Sequence, residues 1–232
     1  MEHWRLKELV LQWTISCRRR GRYCSHNQVN TRSKSSSDTR LTALSYRLDI
    51  FGFPGAPGIQ QNAGLLDQRL ALEWLRDNIG AFGGDCSRII VFGQSAGSVS
   101  VAYLAYSYPE DPIVAGYIME SGTPHSWTPL TPSIAAAHWY DASSILGCGT
   151  TGDVLSCMQS QNTSAVLETL AKVPYDPTNA LFQPQFQPVV DNITVFQDYS
   201  ALAAAGSFSK LVSNSPSLYQ TQKKIQAALK SQ

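Results

Sequence analysis

The chain has 232 residues, 43% hydrophobic and 15% charged, with a net charge of +1; this allows one large core and excludes a disordered polyelectrolyte. Residues 1–40 hold nine Lys/Arg and three Asp/Glu, whereas residues 41–232 hold nine and fourteen, so the mildly acidic body carries no nucleic-acid footprint. No apolar run is long enough for a transmembrane helix, and neither the five cysteines nor the four histidines show metal-ligand spacing.

The basic head contains Arg18-Arg19-Arg20-Gly21-Arg22 and the polar tract Ser33-Lys34-Ser35-Ser36-Ser37-Asp38. Such composition predicts a disordered leader over residues 1–40, or sequence outside the fold. Leu9–Ile15 makes a poor secretory segment, because Glu2 and Glu8 stand where a basic flank is needed. From Arg40 onward helical and strand patterns alternate. A strand is expected over Leu41–Leu48, then a Gly/Pro loop over Phe51–Gly58. Leu65, Leu66, Leu70, Leu72, Trp74 and Leu75 recur at three-and-four spacing, which predicts an amphipathic helix from Gly64 to Asn78. Phe82-Gly83-Gly84-Asp85 breaks the chain before Arg88-Ile89-Ile90-Val91-Phe92, a β-branched run that reads as a buried strand.

The pentapeptide Gly93-Gln94-Ser95-Ala96-Gly97 follows that strand directly. After it comes Ser98–Ala105, a small-residue stretch that reads as a packed helix. Strand, G-x-S-x-G, helix is the setting of a nucleophile elbow, a sharp turn that lifts a serine hydroxyl clear of the backbone. Gly93 and Gly97 suit a strand and helix too close for a Cβ, and Ser95 is the candidate nucleophile. The Ala96 N–H, at the helix N-terminus, is placed to donate to an oxyanion. Further on, Ile113–Met119 reads as a strand, residues 133–147 and 150–171 as helices with a break near Gln161-Asn162, 186–190 as a short strand and 222–229 as a terminal helix. The order predicts an α/β fold with a doubly wound, mostly parallel sheet and the reactive loop at a strand's carboxyl end.

Cys148 and Cys157 flank a short Gly/Thr/Asp loop between helical stretches, where a bridge fits; Cys17, Cys24 and Cys86 are expected to be unpaired or paired only adventitiously. Asn162-Thr163-Ser164 and Asn192-Ile193-Thr194 are glycosylation sequons. Both features point to an oxidising, secretory route.

Several ordered motifs together resemble one family, the type B carboxylesterases, which include cholinesterases and fungal lipases. They are Tyr46-Arg47-Leu48 with Phe51-Gly52-Phe53, the run from Asn62 to Ile79, Phe82-Gly83-Gly84-Asp85 leading to the elbow, and Phe186-Gln187-Pro188-Val189-Val190-Asp191. The resemblance covers residues 41–212, the central part of such a protein, and implies an α/β-hydrolase fold. It also implies acyl transfer through Ser95 with Ala96 as the second oxyanion donor, a small-molecule or lipid ester as substrate, no cofactor, and secretion. The Cys148/Cys157 pair resembles a family disulfide, and Gln94 sits where many members carry Glu. Asp67, Glu73 and Asp85 match family positions and read as structural carboxylates.

The family also implies residues that this sequence does not show in place. Residues 1–40 contain no Gly-rich oxyanion loop, no Asp or Glu follows Asp198, and no histidine follows His138. No triad acid and no triad base is therefore assigned; His125 reads as a solvated or hydrogen-bonded loop residue and His138 as a surface or lid residue. Trp127, Trp139 and Tyr140 suit either an acyl pocket or simple packing. The expectation is an esterase impaired as it stands, with residues 213–232 as a divergent tail. The rivals are a catalytically dead esterase-like binding or adhesion module and a truncated gene product.

Overall fold

The computed structural model describes residues 11–16, 39–174 and 185–210. In chain order the elements are β1 (Leu11–Ser16), β2 (Thr39–Leu44), the single turn α1 (Asp49–Gly52), α2 (Ala63–Asn78), β3 (Ile89–Gln94), α3 (Ala96–Ser107), β4 (Gly116–Glu120), α4 (Pro132–Ile145), α5 (Leu155–Ser160), α6 (Thr163–Leu170) and α7 (Tyr199–Ala204). They fall into two compact units. The first takes residues up to 45, 68–126 and those from 200 onward; the second takes 46–67 and 127–199.

The sheet of the first unit runs β2-β1-β3-β4. Among the described strands, only β3 and β4 pair in parallel, joined through α3 as a βαβ crossover; β1 is antiparallel to both β2 and β3. The expected mostly parallel sheet is thus parallel at one of its three pairings. Two of its strands lie partly or wholly inside the segment read as a leader, which differs from that reading. Leu11-Gln12-Trp13-Thr14-Ile15-Ser16 alternates apolar and polar residues with a period of two, a strand signal that the surrounding arginines obscured. The remaining predicted elements shift in detail. The strand expected over 41–48 lies at 39–44, and the one expected from Ile113 begins at Gly116, after Ile113 at φ 63°. Residues 186–190 contribute one isolated bridge, Leu130 to Val189, instead of a strand. The terminal helix predicted over 222–229 lies outside the described residues.

Burial in the first unit follows sequence pattern closely at its centre. Ile89, Ile90, Val91 and Phe92 are all buried, as continuous apolar strands in α/β proteins are, and α3, which packs on β3 and β4, buries Val99, Val101 and Leu104. On α2, Leu72 and Leu75 are buried, but Leu70 and Trp74 are exposed while Arg69 is buried. A buried guanidinium needs partners. Arg69 has them: Nε donates to Glu73 at 2.8 Å, Nη1 to the Asp111 carbonyl at 2.6 Å, and the group lies 4.1 Å over the Tyr108 ring. Asp85 caps the short turn at Cys86–Arg88 and pairs with Arg88. Glu73 and Asp85 therefore do structural work.

The second unit has its own core of Ile50, Trp139, Met158, Val166, Val173 and Phe186, among others. Beyond the Leu130–Val189 bridge, its described loops are held chiefly by one side chain. Asn62, at φ 55° and fully buried, accepts from the Val189 amide at 2.8 Å and donates to the Val189 carbonyl at 2.7 Å. Its amide also reaches Asp191 and Thr194. Asp191 in turn accepts from the amides of Ile193, Thr194 and Val195. Asp67 binds Arg47 through both backbone and guanidinium, an interaction that holds its carboxyl below the usual carboxylate range.

Two outcomes follow for this knot. Asn62→Ala strands both polar groups of Val189 and should cost about 2–4 kcal/mol in urea unfolding; a loss under about 0.5 kcal/mol would refute the role. Burial pushes the Asp191 carboxyl up, but the hydrogen bonds from Val195, Ile193 and Thr194 outweigh it and hold it below its ordinary value. A depressed carboxylate stabilises the folded form above its unfolded pKa, and that contribution is lost as pH falls through the folded value. Asp191→Asn should therefore flatten the loss of stability below about pH 4, read from urea midpoints across that range.

Candidate active site

Ser95 stands alone between β3 and α3, at φ 53° and ψ −120°. A non-glycine residue in that region carries about 1–3 kcal/mol of strain, which the surroundings must hold. They do so from both sides. The Ser95 amide donates to the Glu120 carbonyl at 2.9 Å, and its carbonyl accepts from Val99 at 3.0 Å. The first bond extends the parallel β3–β4 ladder, in which Gln94 faces Glu120, by one residue beyond the strand. The serine side chain is exposed, and among the described residues its hydroxyl has no hydrogen-bond partner.

Glycines make this geometry possible. A Cβ at Gly93 would overlap the Gly97 carbonyl, so the end of β3 touches the first turn of α3 backbone to backbone. At Gly122, a Cβ would lie 2.6 Å from the Ser95 carbonyl oxygen. That loop is pinned by Ser98, a fully buried residue of α3 whose hydroxyl donates to the Gly122 carbonyl at 2.7 Å. Sequence reasoning did not single out Ser98 or Gly122. The available signal was a serine inside an otherwise apolar helix, which needs a backbone acceptor when buried. Ala96 is the first residue of α3, so its N–H is one that the helix leaves unpaired beside Ser95.

The other candidates fall as follows. His125 is exposed in the same unit as Ser95, in a tight turn where its amide meets the Thr123 hydroxyl at 3.2 Å. His138 is not the surface or lid residue expected. It belongs to the second unit, is 9% exposed, and its Nδ1 lies 2.7 Å from the Gln185 carbonyl with Phe186 edge-on. An Ala-rich helix suggested exposure, but α4 turns His138 and Trp139 inward together. Trp139 is core packing, and the Tyr140 hydroxyl donates to the Gly152 carbonyl.

Cys148 and Cys157 are joined, with Cα atoms 5.6 Å apart. Cys86 is disulfide-bonded too, where it was expected to be unpaired or paired only adventitiously; its position in a short capped turn gave no sequence sign of a partner. A cavity of about 520 Å³ in the second unit is lined by Ile50, Phe51, Met158 and Val166 with Gln159 and Gln161. Among the described residues its one charged liner, Arg47, is committed to Asp67. Among the described residues, no group of three His, Cys, Asp or Glu is placed to hold a metal ion, and no helix is long and apolar enough to cross a membrane.

Residues 33–224 match the model of the carboxylesterase family. The chain is 39% identical over 174 residues to a chlorogenic acid esterase of Aspergillus niger, covering 74% of this chain and 33% of that protein. It is 35% identical to an acetylcholinesterase of Bungarus fasciatus, over 73% of this chain and 29% of the other. It is 34% identical to secreted lipase 5 of Gibberella zeae, over 78% of this chain and 35% of the other. The chain thus spans about a third of the length of these relatives.

The close approach at Gly93 is testable by contrast. Gly93→Ala should destabilise the fold by at least about 1–3 kcal/mol, the usual cost of overpacking. Gly80→Ala, where a Cβ meets nothing within 4 Å, should stay within about 0.5 kcal/mol of the parent. Equal urea midpoints for the two variants would show that the elbow tolerates a side chain.

Proposed function

The chain belongs to the carboxylesterase family, and from that premise we propose that it is a carboxylic ester hydrolase acting by acyl transfer through Ser95. One observation carries the reading: within the family-matching region, a lone serine is held at positive φ between a buried strand and a helix N-terminus. In that role the Ser95 hydroxyl attacks the ester carbonyl, and the alkoxide that develops on the former carbonyl oxygen accepts from the Ala96 N–H. The elbow residues Gly93, Gln94 and Gly97 set the approach. The relatives' names describe esterases, a lipase and a cholinesterase, so the substrate class is an ester of a small molecule or lipid. One relative is named as secreted, and the Cys148–Cys157 bridge suits that route.

A serine hydroxyl needs a base. Triads of this kind run Ser, then acid, then His, and these 232 residues place no acid after Asp198 and no histidine after His138. We therefore expect weak turnover from this chain by itself. Members of a triad act as a unit worth about a million-fold in kcat. The complementary reading is an esterase-like binding module, for which the exposed and unbonded Ser95 hydroxyl would have no use.

A fluorophosphonate probe separates these. Its phosphorus is electrophilic enough to report a slow serine, so the parent should be labelled at Ser95 while Ser95→Ala is not, as read by peptide mass. Steady hydrolysis of a p-nitrophenyl ester should stay close to the Ser95→Ala background. Absence of any Ser95 adduct would sink the esterase reading, and rapid Ser95-dependent turnover would show that another group serves as base.

A further inference from the structure

We propose that Asn162 and Asn192 both carry N-linked glycans, and that Asn192 can receive its glycan only before the second unit folds. Glycan transfer forms a bond between the asparagine Nδ2 and the anomeric carbon of an oligosaccharide carried on a lipid diphosphate. The anomeric C–O bond breaks, the lipid diphosphate leaves, and the amide nitrogen gives up one proton to solvent. The enzyme needs two groups within reach: the amide itself, and the Ser or Thr hydroxyl two residues on, which defines the sequon.

The two sequons differ in what folding does to that hydroxyl. At the first, Asn162 and Ser164 are both exposed, and the Ser164 amide donates to Asn162 Oδ1 at 2.8 Å. That bond uses the oxygen and engages no Nδ2 hydrogen, so a glycan there is compatible with Asn162 capping α6. At the second, Asn192 is exposed at φ 55°, and among the described residues its side chain has no hydrogen-bond partner. Its neighbour Ile193 is 66% exposed, an apolar side chain that a sugar would shield. Thr194, however, is 3% exposed, and its hydroxyl is doubly engaged. It donates to Asp191 at 2.7 Å and accepts from Asn62 at 2.9 Å. An enzyme cannot grip that hydroxyl without opening the knot.

Chain order sharpens the consequence. Asn62 lies 132 residues before Thr194, so the residue that closes the knot is made long before the sequon it closes over. Transfer to Asn192 therefore competes with folding of the second unit, whereas transfer to Asn162 does not. Asn162 is also close in sequence to Cys157, yet its own groups stay exposed with the bridge formed.

The test uses the full chain in two settings. Secreted from a glycosylating eukaryotic host, it should lose two glycan increments on endoglycosidase treatment, one abolished by Asn162→Gln and one by Asn192→Gln. Chain made without glycans and with its disulfides intact is then given purified oligosaccharyltransferase and a lipid-diphosphate oligosaccharide. Site occupancy by mass spectrometry should reach at least ten-fold more at Asn162 than at Asn192 in the folded protein, and near parity once the protein is denatured and reduced. Asn62→Ala, which loosens the knot, should raise occupancy at Asn192 in the host and leave Asn162 unchanged. A single glycan increment or none in the host, or equal labelling of both sites in folded chain, would overturn the proposal.

Discussion

At Gly93 the end of β3 runs so close to the first turn of α3 that any side-chain carbon would collide with the Gly97 carbonyl. Because strand and helix meet this tightly, the chain has one residue in which to reverse, and that residue must take a positive φ. Ser95 takes it at φ 53°, and the strain is held by an amide bond to Glu120 and a carbonyl bond from Val99. Exposure of the hydroxyl, the free N–H of Ala96 and the pinning of Gly122 by Ser98 all descend from that approach. Gly122 has its own close contact, with the Ser95 carbonyl, so the loop after β4 is part of the same constraint.

The second unit solves a different problem by different means. Its residues 185–195 run with almost no ladder pairing, and buried backbone groups there must still be satisfied. Asn62 satisfies Val189 on both its donor and its acceptor, and Asp191 gathers three successive amides. Side chains here stand in for a strand neighbour. The same knot buries the Thr194 hydroxyl, so a device that stabilises the unit also decides when its sequon is open.

The geometry around Ser95 is set locally. Backbone alone holds Ser95 and the Ala96 N–H in place, within one βαβ crossover. The relatives are about three times as long as this chain.

The sequence by itself determined the local features. The β-branched run before Gly93 and the small residues after Gly97 announced strand, turn and helix; the spacing of apolar residues announced α2 and the helices beyond Thr131. These readings work because they depend on neighbours a few residues apart, where sterics and periodicity act directly. Tertiary structure decided what depends on distant partners. It buried Arg69 and left Trp74 in the open; the Asp111 carboxylate and the Tyr108 ring supply the charge and the face that a buried Arg69 needs. It turned His138 inward onto Gln185, paired β1 into the sheet despite its basic flanks, and replaced a predicted strand at 186–190 with side-chain bonds from Asn62. In each case the deciding partner lies tens of residues away, and a polar group's burial is set by whether that partner arrives, which no local pattern records.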